Sequence, residues 1–132
     1  MATTTAQITL TSTDIADNAL SISNTMTLTT AGTETGLTET TGLARKKIAS
    51  SSLADLITVA NTDVTAAKSA KVYIKNTSTA TDKYGLVGIG DSSGTPIYIG
   101  RLYGGDWMLI PWDANSGEDI TMTMSDTTAT II

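Results

Sequence analysis

PIYIGRLYGGDWMLIPW, residues Pro96 to Trp112, is the densest apolar stretch of the chain, and its middle is broken by Gly104 and Gly105. Before the break, Ile97 and Ile99 alternate with Tyr98 and Gly100, a period of two that sends successive side chains to opposite faces of a strand. After it, Trp107, Met108, Leu109 and Ile110 run together without a polar residue. Such a run is too short to cross a membrane and is typical of a strand covered on both faces. The reading predicts two strands paired as a hairpin across the glycines.

Outward from this stretch the same signals recur. Upstream, YGLVGIG from Tyr84 to Gly90 reads as a strand, and GDSSG from Gly90 to Gly94 has the length and composition of a hairpin loop. Between Ala70 and Lys75, Val72 and Ile74 are expected inward and Lys71, Tyr73 and Lys75 outward. SLADLITVA, from Ser52 to Ala60, carries two competing periods. Ser52 with Asp55 resembles a helix capping box, while Ile57 and Val59 fit a strand, so helix and strand both stay open there. Ala31 to Gly42 is rich in Gly, Thr and Glu and is expected to be a long exposed loop. Leu20, Ile22, Met26 and Leu28 share one parity and Ser or Thr the other, marking an amphipathic strand with Asn24 on its apolar face. Ile8 and Leu10 alternate with Thr9 and Thr11 in a polar N-terminal segment over residues 1–13, read as a terminal strand or as a docking arm that a partner could order. Downstream, Asp113 to Gly117 is a turn cluster, Ile120, Met122 and Met124 alternate with Thr121 and Thr123, and Thr127 to Ile132 is a candidate last strand.

Short strands separated by turn signals at intervals of about 8–12 residues are the mark of a sandwich or barrel. With abundant Thr and few good helix formers, the expectation is an all-β fold, an antiparallel β-sandwich of jelly-roll type. It comprises the N-terminal arm, 1–13, and one sandwich domain, 14–132. A chain of 132 residues suits one core.

Composition narrows the chemistry. With no Cys and no His, thiolate metal sites, disulfides, the commonest metal ligand and the commonest general base are all missing. A net charge of −5 argues against nucleic acid as a partner. The first residues lack the basic start and apolar core of a secretion signal, and no apolar run suggests a membrane span, so a soluble protein made in a cytoplasm is expected. Charge is uneven: seven of the eight basic residues lie between Arg45 and Lys83, whereas six acids and Arg101 alone follow. Two faces of opposite sign could steer self-association, and a solvated surface accounts for the pattern equally well.

Individual motifs read mostly as structure. GDSSG invites comparison with the nucleophile stretch of trypsin-like proteases, but a Ser nucleophile there needs a His base. Asp113, Asn115, Gly117 and Asp119 alternate as the first ligands of a calcium loop do, yet the twelfth position is Met124. Glu34, Glu39, Asp106 and Glu118 could in principle pair for glycoside hydrolysis, and spacing singles out no pair. Asn76-Thr77-Ser78 matches a glycosylation acceptor, which means little without a secretion signal. Tyr98, Tyr103, Trp107 and Trp112 could stack on sugars, although large rings more often fill cores or anchor interfaces. Arg45, Lys46 and Lys47 could meet phosphates or an acidic partner, or simply be solvated.

VYIKNTS from Val72 to Ser78, Gly88 to Gly90, IGRLYGGDWMLIPW from Ile99 to Trp112 and ITMTMSDTTATI from Ile120 to Ile131 resemble small virion proteins of tailed bacteriophages. The resemblance lies in the C-terminal half and in the style of the sequence. It implies a non-enzymatic capsid decoration, or cement, protein on the outer capsid surface of the virion, assembled in the host cytoplasm. The implied partners are the major capsid protein and further copies of the chain, as a dimer or trimer. No cofactor, metal, nucleic acid, membrane or small-molecule substrate is expected. The candidate interface is Ile8, Leu10, Arg45, Lys46, Lys47, Tyr98, Tyr103, Trp107 and Trp112. The alternatives are a carbohydrate- or receptor-binding module of a fibre, a tail-tube or adaptor component, and, least favoured, a glycosidase.

Overall fold

The computed structural model describes residues 4–13, 20–28, 42–48, 51–61, 69–115 and 117–125. The strands are all joined antiparallel, and the one helical element among the described residues is a 3-10 turn, Val59–Asn61. The chain divides into two units, Met1–Thr40 and Thr41–Ile132.

In the first unit, β1 (Thr4–Ser12) pairs along its whole length with β2 (Leu20–Leu28), from Thr4 opposite Leu28 to Ser12 opposite Leu20. The N-terminal segment is therefore one strand of a two-stranded ribbon. Because the apolar parities of both strands coincide in this register, Ile8, Leu10, Leu20, Ile22 and Met26 share one face, and Thr, Ser and Gln7 make up the other.

Among the described residues, the second unit holds six strands. A four-stranded sheet runs β3 (Ala54–Ile57), β8 (Ile120–Met124), β5 (Tyr84–Ile89), β6 (Ile97–Tyr103), and β4 (Ser69–Lys75) pairs separately with β7 (Trp107–Asp113). Alternation decides which side chains are buried. Val72 and Ile74 of β4 and Trp112 of β7 share one core with Val87, Leu102, Ile120, Met122 and Met124 of the larger sheet, together with Ile48 and Ala114. At about 1.5–3 kcal/mol per buried aliphatic side chain, this cluster is the principal source of stability in the unit. In a chain without Phe, unbranched Met122 and Met124 are fully buried and help to fill the core.

The two halves of the Pro96–Trp112 stretch do not pair with each other, contrary to the expected hairpin. β6 pairs with β5 and β7 with β4, so Gly104 and Gly105 carry the chain from one sheet to the other. The cause is Asn76. Its side chain is fully buried; the amide donates to the Leu102 carbonyl at 2.9 Å and its oxygen accepts from the Ser78 N–H at 2.9 Å. Its backbone N–H reaches the Asp106 carbonyl and its carbonyl receives the Gly105 N–H, both at 2.9 Å. One residue at the end of β4 thus holds both the last turn of β6 and the loop beyond it. Gly104 fits only because it lacks a side chain, since a Cβ there would lie 2.5 Å from the Ala80 carbonyl oxygen and 2.7 Å from that of Ser78.

Other expectations resolve simply. Gly90–Gly94 does link the β5–β6 hairpin. The open Leu53–Ala60 element is strand β3 followed by the 3-10 turn, and Asp55, instead of capping a helix, accepts from the Ser92 N–H at 3.0 Å and its hydroxyl at 2.8 Å. The loop expected before Gly42 and the strand expected at Thr127 to Ile132 lie outside the described residues.

Asn76→Ala should lower the stability of the second unit by about 3 kcal/mol, because two buried groups lose their partners at roughly 1–3 kcal/mol each. Gly104→Ala should be similarly damaging, whereas Gly100→Ala, whose new Cβ would meet nothing within 4 Å, should be neutral or slightly stabilising. Urea unfolding followed by Trp fluorescence checks all three, since both tryptophans, Trp107 and Trp112, belong to this unit.

Candidate functional site

The aspartates show first what the chain does with its acids. Asp55 anchors Ser92; Asp91 accepts from both the N–H and the hydroxyl of Ser93; Asp106 accepts from the Tyr103 N–H at 2.9 Å; Asp119 accepts from the Val59 N–H at 2.8 Å. Asp91 and Asp106 close local turns, the role that short acidic side chains take when they bond to nearby backbone N–H groups, while Asp55 and Asp119 tie together segments distant in sequence. GDSSG and GGD are thereby accounted for as turn chemistry. The same holds for Asp113 to Asp119, where the Asn115 N–H bonds the Asp113 carbonyl, the Glu118 N–H bonds the Asn115 carbonyl, and the Asp119 carboxylate is taken by β3's exit. Among the described residues no group of three or more Asp or Glu is placed to hold a metal ion. An open depression lined by Ile89, Pro111, Trp112, Asp113, Asn115 and Glu118 holds two of these acids without a buried partner for either.

Asn76 cannot be a glycan acceptor in this fold. Its amide is enclosed and bonded at both ends.

What the second unit does present is side chains on its sheet faces. On the outer face of β4–β7, Lys71 lies opposite Pro111, Tyr73 opposite Leu109 and Lys75 opposite Trp107. The rings of Tyr73 and Trp107, both about half exposed, sit 6.1 Å apart at a tilt of 34°. On the larger sheet β6 is an edge strand. Tyr103 stands 5.3 Å from Tyr84, and the Arg101 guanidinium lies 4.6 Å above the Tyr84 ring, a cation–π contact. Near the start of β6 the register slips by one residue, and Ile97, Tyr98 and Ile99 are all exposed in consequence.

Of the residues singled out in the sequence, Tyr98, Tyr103 and Trp107 are exposed as an interface requires. Ile8 and Leu10 are exposed on the ribbon's apolar face. Arg45, Lys46 and Lys47 are exposed beside buried Ile48, and the Lys46 ammonium donates to the Asp55 carbonyl, so this segment lies along β3. Trp112 is the exception. Only 2% exposed, with its indole N–H donating to the Glu118 carbonyl at 2.7 Å, it is a core residue and presents no ring at the surface. Parity decides this, because Trp112 shares the inward face of β7 with Ile110 and Met108 while Trp107 takes the outward one. Tyr73 was expected outward, but neither it nor Tyr84 and Arg101 was placed in the candidate interface. The outward parity of Tyr73 was the available signal, but the pairing that brings it to Trp107 is a long-range fact.

No known protein family, characterised protein or solved structure matches the chain.

Two measurements check these assignments. Trp112→Ala should destabilise by about 3–5 kcal/mol, whereas Trp107→Ala should cost well under that, as truncation of an exposed ring leaves no cavity. The Asp91 carboxyl is held below its ordinary range chiefly by the Ser93 hydroxyl and N–H. Its contribution is therefore present above the ordinary carboxylate range and is lost as pH falls through the lowered value. The stability difference between wild type and Asp91→Asn should be present at about pH 6 and shrink as pH falls below the ordinary carboxylate range in urea titrations.

Proposed function

We propose that the protein is a non-enzymatic structural component of a tailed-phage virion, a decoration protein seated on the outer capsid lattice. The reading is carried by one observation: eleven large apolar or aromatic side chains, from Ile8 to Trp107, stand exposed on strands. Soluble monomers rarely expose such surface in contiguous patches, and rows of it mark contact with other proteins. The phage-like style of Val72–Ser78 and Ile99–Trp112 supports the same reading, and so do the acids spent on turns. The finer architecture fits it too, the two sheets around one core being read as a β-sandwich. In this mechanism each subunit buries its outer sheet surface against capsid subunits and its own copies. Many weak symmetric contacts then add up to resist the pressure of packaged DNA.

Purified protein should bind empty heads and raise the temperature at which they rupture. Trp107→Ala and Tyr98→Ala should each weaken binding by about tenfold or more if they are central anchors. Failure to bind or protect heads defeats the reading, and rings or tubes in electron micrographs would point instead to a tail-tube or adaptor role.

A second reading rests on the Tyr73–Trp107 pair, whose neighbouring exposed rings offer a stacking surface for a sugar. Because Trp112 is buried, a fluorescence change on titration with host polysaccharide would report Trp107, and its absence removes this alternative.

A further inference from the structure

The β1–β2 ribbon is an element that does not account for its own stability. A two-stranded hairpin alone is marginal in water and needs its apolar face covered. Here Ile8, Leu10, Leu20, Ile22 and Met26 on that face are 41%, 51%, 48%, 40% and 50% exposed, and only Leu28, at the end of β2, is buried among its large apolar residues. None of the residues in either strand is charged, so the face offers nothing to compensate the desolvation of a charged partner surface. Its polar members are Thr4 and Ser12 at the two ends of β1 and one amide between them. Asn24 lies opposite Ile8, the fifth of nine pairs, at the midpoint of the ribbon.

That placement selects the occupant. An amide pressed against a purely apolar surface is costly unless it is hydrogen-bonded, and an amide carries both donor and acceptor. A surface that brings a second amide to the same central point satisfies both at once. We infer that the apolar face of the β1–β2 ribbon packs on the same face of a second copy of this chain, about a two-fold axis crossing the strands over the Ile8–Asn24 pair. Such an axis sets each Asn24 over its symmetry mate. It also sets Ile22 over Met26, and Leu10 over Ala6, a large side chain against a small one. A single central Asn would then fix the register, as a buried polar residue does in coiled coils. The face measures roughly 30 by 10 Å, about 300 Å² per copy, against about 800 Å² per partner in a standard interface. The association is accordingly reversible and concentration-dependent.

The inference is independent of the capsid reading, and its test contains no capsid. Light scattering on the full chain, up to about 500 μM, should show the mass rising from 13.7 kDa toward twice that value. Ile22→Lys should hold the chain at the monomer mass, and Thr25→Lys, on the opposite face, should leave association unchanged. Because the chain has no Cys, Asn24→Cys gives a single thiol that a short bismaleimide should couple between copies across a gap of about 10 Å. Thr25→Cys should couple far less. A monomer throughout the range, an Ile22→Lys chain that associates like wild type, or equal coupling at positions 24 and 25 would overturn the inference.

Discussion

The buried amide of Asn76 decides how the second unit is connected. Without it, Pro96–Trp112 has every local feature of a hairpin, with two apolar runs, a glycine pair and an acid to close the turn. With it, the Leu102 carbonyl, the Ser78 N–H and the backbone of Gly105 and Asp106 are all referred to one point at the end of β4. The strands on either side of the glycines are then drawn to different partners, and their inward side chains meet across a core. A polar group with all its bonds made is worth keeping in an interior because a competing arrangement would leave several groups unpaired at once. Asn76 acts in that sense against the hairpin.

The same economy governs the acids. Asp91 and Asp106 each take a backbone N–H within their own turns, and Asp55 and Asp119 take those of Ser92 and Val59 across the fold. A carboxylate committed to such donors has less freedom to shuttle protons or gather round a metal. Chemistry of that kind wants acids that converge in an enclosed place with donors to spare. Here the turns are separated by strand lengths, and the sheet surface between them carries Tyr73, Trp107, Tyr98 and Tyr103 beside Lys71, Lys75 and Arg101.

Much of this was legible, and the limits follow from range. Parity along a strand is local, so Val72 and Ile74 inward, Tyr73 outward, and Ile120, Met122 and Met124 buried could all be read directly. Gly90–Gly94 could be read as a hairpin loop because the turn chemistry lies within five residues. Strand partnership is not local. That β6 leaves β7 for β5 depends on Asn76, some 28 positions before Gly104, and on the Ala80 and Ser78 carbonyls that admit only glycine there. The burial of Trp112 followed the same logic: its parity was available, but the side of β7 facing the core was settled by which strands lie beneath it. The Leu53–Ala60 ambiguity was real, since a strand and a 3-10 turn share the segment.

Threonine joins these observations to the exposed ribbon. On β8, Thr121 is fully buried and its hydroxyl, like that of Thr123, makes no hydrogen bond, so the residue serves there as a β-branched filler that happens to be polar. On β1 and β2 the same residue type lines a whole solvent-facing side. A Thr-rich strand can thus be turned to water or to protein at small cost, unlike one faced with Lys and Glu. Charge is the usual means by which exposed strands avoid one another. A ribbon that keeps its polar side neutral, and keeps charge off its apolar side as well, has given up that protection. Such a surface is better suited to being covered than to staying free.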